Sequence, residues 1–313
     1  MREKVLIGTR GSKLALWQAE WVASQLRANN PALKIELVKI KTTGDKITDV
    51  PLAKVGGKGL FVKEIEDALL SCKIDMAVHS MKDVPSEFPS GLYISAICKR
   101  EDPRDAMICK KNSAIKSFKD IPHSAKIGTS SLRRTCQLLA ERPDLRIESL
   151  RGNLDTRIKK LDEGLYDAII LASAGVIRLG WQDRITEILD EQISLPAVGQ
   201  GAVGIETRID DHFVNDLVKP LNDYYTNICV SAERAFLKRL EGGCQVPIAS
   251  HGIISDNNNE ITLHGLIGSI NGDKIIKGSI KGSISESIAL AIKLAEELLD
   301  KGADTILKAV YER

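Results

Sequence analysis

Short apolar runs alternate with amphipathic stretches through the first two-thirds of the chain, and this rhythm restricts the fold more than any single residue does. Val5–Thr9 reads as a short apolar strand. Lys13–Ala28 follows as a helix, with Leu14, Leu16, Trp17, Val22 and Leu26 supplying the apolar positions and Ser12 placed to cap it. Lys34–Lys41 alternates apolar and polar residues as a half-buried strand, Leu60–Ser71 is amphipathic, and Asp75–His79 is a buried strand. The rhythm restarts after Pro103. Lys126–Gly128, Arg146–Leu150 and Tyr166–Ala172 read as strands, separated by helices at Ser131–Glu141 and Asn153–Glu163. A helix between two strands carries the chain back to the starting edge, so such strands lie parallel and are covered by the helices. Two α/β lobes are expected, with a break near residues 100–105.

After about Pro220 the pattern changes. Asp223–Leu240 reads as one helix ending at Gly242-Gly243, followed by strands at Val246–Ile254, Ile261–Ile267 and Lys274–Ile280. Turns fall at Asn257-Asn-Asn and Asn271-Gly272, and a last helix is expected over Ser285–Lys301. This is a small α+β domain.

The chemistry gathers where strands end. Thr9-Arg-Gly-Ser12, Thr129-Ser-Ser-Leu-Arg-Arg134, Arg151-Gly-Asn-Leu-Asp-Thr-Arg157 and Ala172-Ser-Ala-Gly-Val-Ile-Arg178 each follow a strand and lead towards or into a helix. Ligands of α/β proteins bind at the carboxyl ends of the strands. Helix starts there offer free N–H groups, and arginine adds a forked donor that fits carboxylates and phosphates. A single arginine at a strand end is usually just solvated, but four such sites together read as a cleft for a ligand with several anionic groups. His79-Ser-Met-Lys-Asp-Val-Pro85 also follows a strand. There Asp83 beside Lys82 is a candidate general acid/base, with a solvated turn as the alternative. The loop Thr42–Gly59 reads as long and mobile. Its glycines around Lys58 fit a lid or a flexible connection, and without Walker spacing they do not support nucleotide hydrolysis. Cys244, in Leu240-Glu-Gly-Gly-Cys-Gln-Val-Pro-Ile-Ala249, sits on a turn open to another molecule, with a space-filling buried thiol as the alternative.

Composition narrows the classes. A net charge of +2 and 4% aromatic residues speak against a nucleic-acid partner. No apolar run approaches the roughly 18 residues of a membrane span. The N-terminal segment has no signal-peptide core, so cytoplasmic residence is expected. Six cysteines without CxxC or His spacing point to reduced thiols, with neither a zinc site nor a disulfide framework.

Five segments carry a family resemblance: HSMKDVP at 79–85, GTSSLRR at 128–134, RGNLDTR at 151–157, PAVGQGA at 196–202 and EGGCQVPIA at 241–249. With them in this order, the chain resembles the hydroxymethylbilane synthase (porphobilinogen deaminase) family over nearly its full length. The resemblance implies an α/β fold of two periplasmic-binding-protein-like (type II) lobes with mixed sheets plus a small α+β C-terminal domain. Domain 1 would comprise residues 1–100 and 198–218, domain 2 residues 101–197, and domain 3 residues 219–313.

It also implies a transferase that joins four porphobilinogen molecules head to tail with release of ammonia. Growth would start on a dipyrromethane cofactor held by a thioether to Cys244, and the linear tetrapyrrole would leave by hydrolysis. Asp83 would protonate the departing amine, stabilise the cationic azafulvene and accept pyrrole protons. Cofactor and substrate carboxylates would be bound by Arg10, Ser12, Lys58, Ser80, Lys82, Thr129, Ser130, Ser131, Arg133 and Arg134, together with Arg151, Gly152, Asn153, Arg157, Ala172, Arg178 and Gln200. No metal, membrane or nucleic acid is expected, and the resemblance suggests a monomer. A non-catalytic binder of polycarboxylates is the competing reading. A cysteine hydrolase is a further alternative, although no particular histidine pairs with Cys244.

Overall fold

The computed structural model describes residues 2–46, 61–241 and 246–312. In chain order it begins with β1 (Lys4–Thr9), α1 (Lys13–Asn29), β2 (Lys34–Lys39), the short α2 (Thr43–Lys46), α3 (Lys63–Leu70), β3 (Met76–Ser80) and β4 (Leu92–Ile97). Then come β5 (Asp105–Cys109), β6 (Lys126–Gly128), α4 (Leu132–Glu141), β7 (Arg146–Glu148), α5 (Leu154–Asp162), β8 (Ala168–Ala172), α6 (Ser173–Arg178) and β9 (Glu187–Ile188). The remainder is β10 (Val203–Arg208), α7 (His212–Val218), α8 (Tyr224–Arg239), β11 (Ile248–Ile254), β12 (Glu260–Gly268), β13 (Ile275–Ser283), α9 (Ser287–Leu298) and α10 (Asp304–Tyr311).

The chain folds into two compact units, Met1–Glu101 with Ala202–Asn227, and Asp102–Gly201 with Ile228–Arg313. The first is built on a five-stranded sheet ordered β2-β1-β3-β10-β4. β1 runs parallel to β2 and β3, whereas β10 is antiparallel to both of its neighbours, which makes the sheet mixed. Ser12 caps α1 by accepting a hydrogen bond from Ala15 N at 3.3 Å. The apolar stripe Ala19, Val22, Ala23 and Leu26 then buries against Val5, Ile7, Met76, Val78 and Ile205. Each fully buried Val, Ile or Leu in such a core contributes roughly 1.5–3 kcal/mol.

The second unit holds two sheets. One, ordered β7-β6-β8-β5-β9, pairs β6 in parallel with β7 and β8, while β5 is antiparallel to β8 and β9. The other is the antiparallel meander β11-β12-β13. It is covered by α8, α9 and α10 over a core that includes Phe236, Leu263, Ile267, Leu294 and Leu298. No helix among the described residues is long and apolar enough to cross a membrane, and no cluster of His, Cys, Asp and Glu among them could hold a metal. No disulfide links the described cysteines.

Several elements differ from the periodicity. The strands β4, β5, β9 and β10 complete the two five-stranded sheets, but the alternation does not announce them, because their partners are remote in sequence. The single helix expected over Ser285–Lys301 stops at Leu298. The chain kinks at Gly302, where φ is 98°, and resumes as α10. The loop expected over Thr42–Gly59 begins with α2, where the buried Thr42 donates its hydroxyl to Asp45 at 2.8 Å. The lid or connection expected around Lys58 lies outside the described residues, as do Gly242, Gly243 and Cys244.

Candidate functional site

In the first unit, β1 delivers Arg10 and Ser12, and β3 delivers Ser80 and, through a single 3₁₀ turn at Met81–Asp83, the carboxylate of Asp83. These residues line one pocket together with His79 and Gln18. The turn is held from below, because Met81 is buried and its N–H donates to Ala202 O at 3.0 Å. Ser80 and the Gln18 amide exchange hydrogen bonds at 2.9 and 3.1 Å, fixing the last residue of β3 against α1. Arg10 is oriented on two sides. Its guanidinium carbon lies 4.2 Å above the centre of the Phe61 ring, and Nε and Nη2 bond to Asp45. Burial works against the Asp45 carboxylate, but the Arg10 hydrogen bonds and charge and the Thr42 donors outweigh it and hold the acid below its usual range. Lys82 is half-buried in the same turn.

In the second unit the motif residues fall into two groups. Arg133 and Arg134, read from sequence as donors to a ligand, lie 4% and 5% exposed and have a carboxylate of their own in Asp105. Arg133 Nη1 reaches Asp105 Oδ2 at 2.8 Å and Leu195 O at 2.7 Å. Arg134 Nη2 reaches Asp105 Oδ1 at 2.7 Å, and its Nη1 reaches Ile170 O at 3.0 Å. Ser194 Oγ at 2.7 Å and the Gln200 amide at 2.9 Å complete the shell around Asp105. Gln200 is thus buried in this network. Burial alone would favour neutral Asp105, but the two guanidiniums override it and hold the acid far below the usual carboxylate range. Arg134 Nε remains buried with no hydrogen-bond partner among the described residues.

The other group is open or half-open. Ser131 begins α4 without using its hydroxyl as a cap, whereas Thr129 is buried and its Oγ1 accepts from Ser131 N at 3.2 Å. Ser130 Oγ lies 3.0 Å from Ser149 Oγ and donates to Leu150 O at 2.9 Å. Arg151 is half-buried, and its Nε is a second buried donor with no partner among the described residues. Gly152 has φ 111°, and a Cβ there would come 2.8 Å from Thr156, so this turn excludes larger residues on two counts. The exposed Asn153 starts α5 with no side-chain cap bond, and Arg157 Nε donates to Gly152 O at 2.7 Å. Ala172 ends β8 at the start of α6, whose last residue Arg178 donates to Gly201 O at 2.7 Å. Lys58 and Cys244 lie outside the described residues.

Sequence reasoning missed Asp105 and two further buried acids of the first unit, Glu206 and Glu66, which are 1% and 7% exposed. A signal existed for the first two. Asp105 opens an apolar strand, and Glu206 interrupts the apolar run Ala202-Val-Gly-Ile205. A lone acid in such a run needs a buried partner. Burial pushes the Cys136 thiol up to about 12 and also raises Cys109, so neither of these two is poised as a thiolate.

Two family models match the chain: the porphobilinogen deaminase dipyromethane cofactor binding domain over residues 5–216, and the porphobilinogen deaminase C-terminal domain over residues 227–300. Among curated relatives, the porphobilinogen deaminase of Trichlorobacter lovleyi is 54% identical over 311 residues, covering 99% of this chain and 98% of the relative. That of Geobacter sulfurreducens is 55% identical over 310 residues, covering 99% and 96%. Among solved structures, the periplasmic VFT2 domain of Bordetella pertussis BvgS is similar at 13% identity and a TM-score of 0.43, over 70% of this chain and 86% of that one.

Proposed function

The chain belongs to the porphobilinogen deaminase family, and from that premise we propose how its own residues carry the family's reaction. That reaction is a transfer: four porphobilinogen molecules are condensed stepwise with release of ammonia, and the linear tetrapyrrole hydroxymethylbilane is released by hydrolysis. The match across 99% of the chain at 54% identity carries this conclusion, and it excludes the non-catalytic binder as the better reading.

A dipyrromethane presents several carboxylates, and the residues fit such a group. Arg134 Nε and Arg151 Nε are buried guanidinium donors left without partners among the described residues, where a neutral interior would disfavour them. Arg151, Arg157, Ser131 and Arg134 bind carboxylates of the cofactor and growing chain. Arg133 and Gln200 act by holding Asp105, which keeps Arg134 in place. Cys244 is the attachment point through a thioether. Bound there, the cofactor supplies the pyrrole terminus on which growth begins.

In the first unit, Arg10 is aimed by Asp45 and Phe61, which among the described residues leaves Nη1 for a substrate carboxylate. Ser12, Ser80 and Lys82 assist. Asp83 faces the reacting carbon, stabilises the positive charge that develops as the amine departs, and accepts the proton lost from the pyrrole carbon. The chain is organised as residues 1–100 with 198–218, 101–197 and 219–313. It acts as a cytoplasmic monomer.

Intact-mass measurement of the purified full chain tests this reading. The expected result is an added mass equal to a two-pyrrole unit that disappears in Cys244→Ala. An active chain of unmodified mass would sink it.

A further inference from the structure

Among the titratable side chains buried in the first unit, His79, Glu206 and Glu66 gather in one place and have no part in the proposed mechanism. In the β3–β10 ladder, Gly204 pairs with His79 and Glu206 with Ala77. His79 and Glu206 therefore stand on one face of the sheet as a diagonal pair, within reach of long side chains. His79 Nε2 lies 2.9 Å from Glu206 Oε2, with the two side chains 4% and 1% exposed. Glu66 reaches the same interior from α3 and is 7% exposed. Glu66 Oε1 and Glu206 Oε1 have no hydrogen-bond partner among the described residues.

Charge decides the state of this cluster. Two ionised carboxylates beside one imidazole would bury at least one uncompensated negative charge, which is costly in a dry interior. A proton on Glu66 removes that charge. Burial, and then the charge of Glu206, push Glu66 up to about 7, with His79 opposing and Asp67 adding to the rise. Among the described residues, β1, β2 and β4 present the apolar Leu6, Val38 and Leu92 to α3, and β10 brings one further charge, Arg208, whose Nη1 donates to Leu69 O at the end of α3 and to Ile74 O, both at 2.8 Å.

The cluster adjoins the site. His79 lines the pocket together with Asp83, and β3 runs from His79 directly into the turn that carries Asp83. We propose that His79, Glu206 and Glu66 form a positioning unit for Asp83. Glu206 clamps the imidazole and with it the end of β3, which sets the aim of the Asp83 carboxylate. The proton on Glu66 keeps the unit neutral, so that Glu206 stays committed to His79 and no second negative charge stands behind Asp83. This rests on the reading of Asp83 as the reacting carboxylate.

The test is a double-mutant cycle on the cofactor-loaded chain. Glu206→Gln is expected to lower kcat about 10- to 100-fold, the scale of a misaimed catalytic group, with KM changed less than about twofold. In an Asp83→Asn background it should produce no further loss. Equal losses in both backgrounds would overturn the proposal. If Asp83→Asn alone turns over normally, it is the role of Asp83 that fails. The cluster is checked apart from turnover by infrared spectroscopy. A protonated-carboxyl band is expected near pH 6 that vanishes in Glu66→Gln, and the alkaline limb of the kcat profile should move to higher pH in that variant. An absent band, or an unmoved limb, would remove Glu66 from the unit whether or not Glu206→Gln folds.

Discussion

Replacing Glu66 with glutamine should make the first unit more stable at alkaline pH and change it little in acid. Glu66 carries a carboxyl raised from an ordinary 4.5 to about 7, because burial and the Glu206 charge disfavour its ionised form. The folded state therefore holds this proton more tightly than the unfolded chain does. Its contribution to stability is fully present below pH 4.5 and is lost as pH rises towards 7. At about 1.4 kcal/mol per pKa unit, the whole shift corresponds to about 3 kcal/mol, most of which falls between pH 5 and 8. Glutamine keeps the shape of the protonated acid and does not titrate. The stability difference between Glu66→Gln and the parent should thus grow by about 2–3 kcal/mol in favour of the variant across that interval. Trp17 and Trp21 lie on α1 in the first unit, so urea unfolding followed by tryptophan fluorescence in a Trp181→Phe background reports on that unit. A difference curve that is flat with pH would refute a proton held on Glu66, and one that favours the parent at pH 8 would reverse the sign of the reasoning.

Two further outcomes concern the second unit. Asp105→Asn strips the carboxylate from two buried guanidiniums, and a loss of about 3–5 kcal/mol is expected in thermal or denaturant unfolding; a loss under about 1 kcal/mol would mean that the arginines find another anion. Glu233 on α8 is fully buried and accepts from Gly199 N at 2.7 Å and Gly252 N at 2.9 Å, one with each carboxylate oxygen. Glu233→Gln can satisfy only one of these donors, so a cost of about 1–3 kcal/mol and faster amide exchange at Gly199 or Gly252 are expected, and unchanged exchange at both would count against this strap.

Local chemistry was legible where it depends on neighbours in the chain. Ser12 as a cap, Asp83 in a turn at the end of a buried strand, Gly152 in a crowded left-handed turn and the antiparallel meander of the last domain all follow from short-range rules of backbone and side chain. The C-terminal helix was half legible, since its apolar period continues through a segment whose backbone turns at Gly302. The motif arginines were legible as anion binders but not as to which anion. Arg133 and Arg134 are alike in sequence to Arg151, yet the first turn of α4 points them inward onto Asp105, 28 and 29 residues earlier.

The sequence by itself determined the succession of strands and helices, the residues at the strand ends and, through its motifs, the family and its reaction. The tertiary structure alone decided which charges neutralise which. His79 meets Glu206 across 127 positions only because the chain returns as an antiparallel strand beside β3, and Glu66 joins them only because α3 lies over the same face. Helical and strand periods arise from repeats a few residues long, so they can be read along the chain. The protonation of a buried acid depends on the dielectric and the charges within a few ångströms of it, and those neighbours are assembled only when distant segments pack.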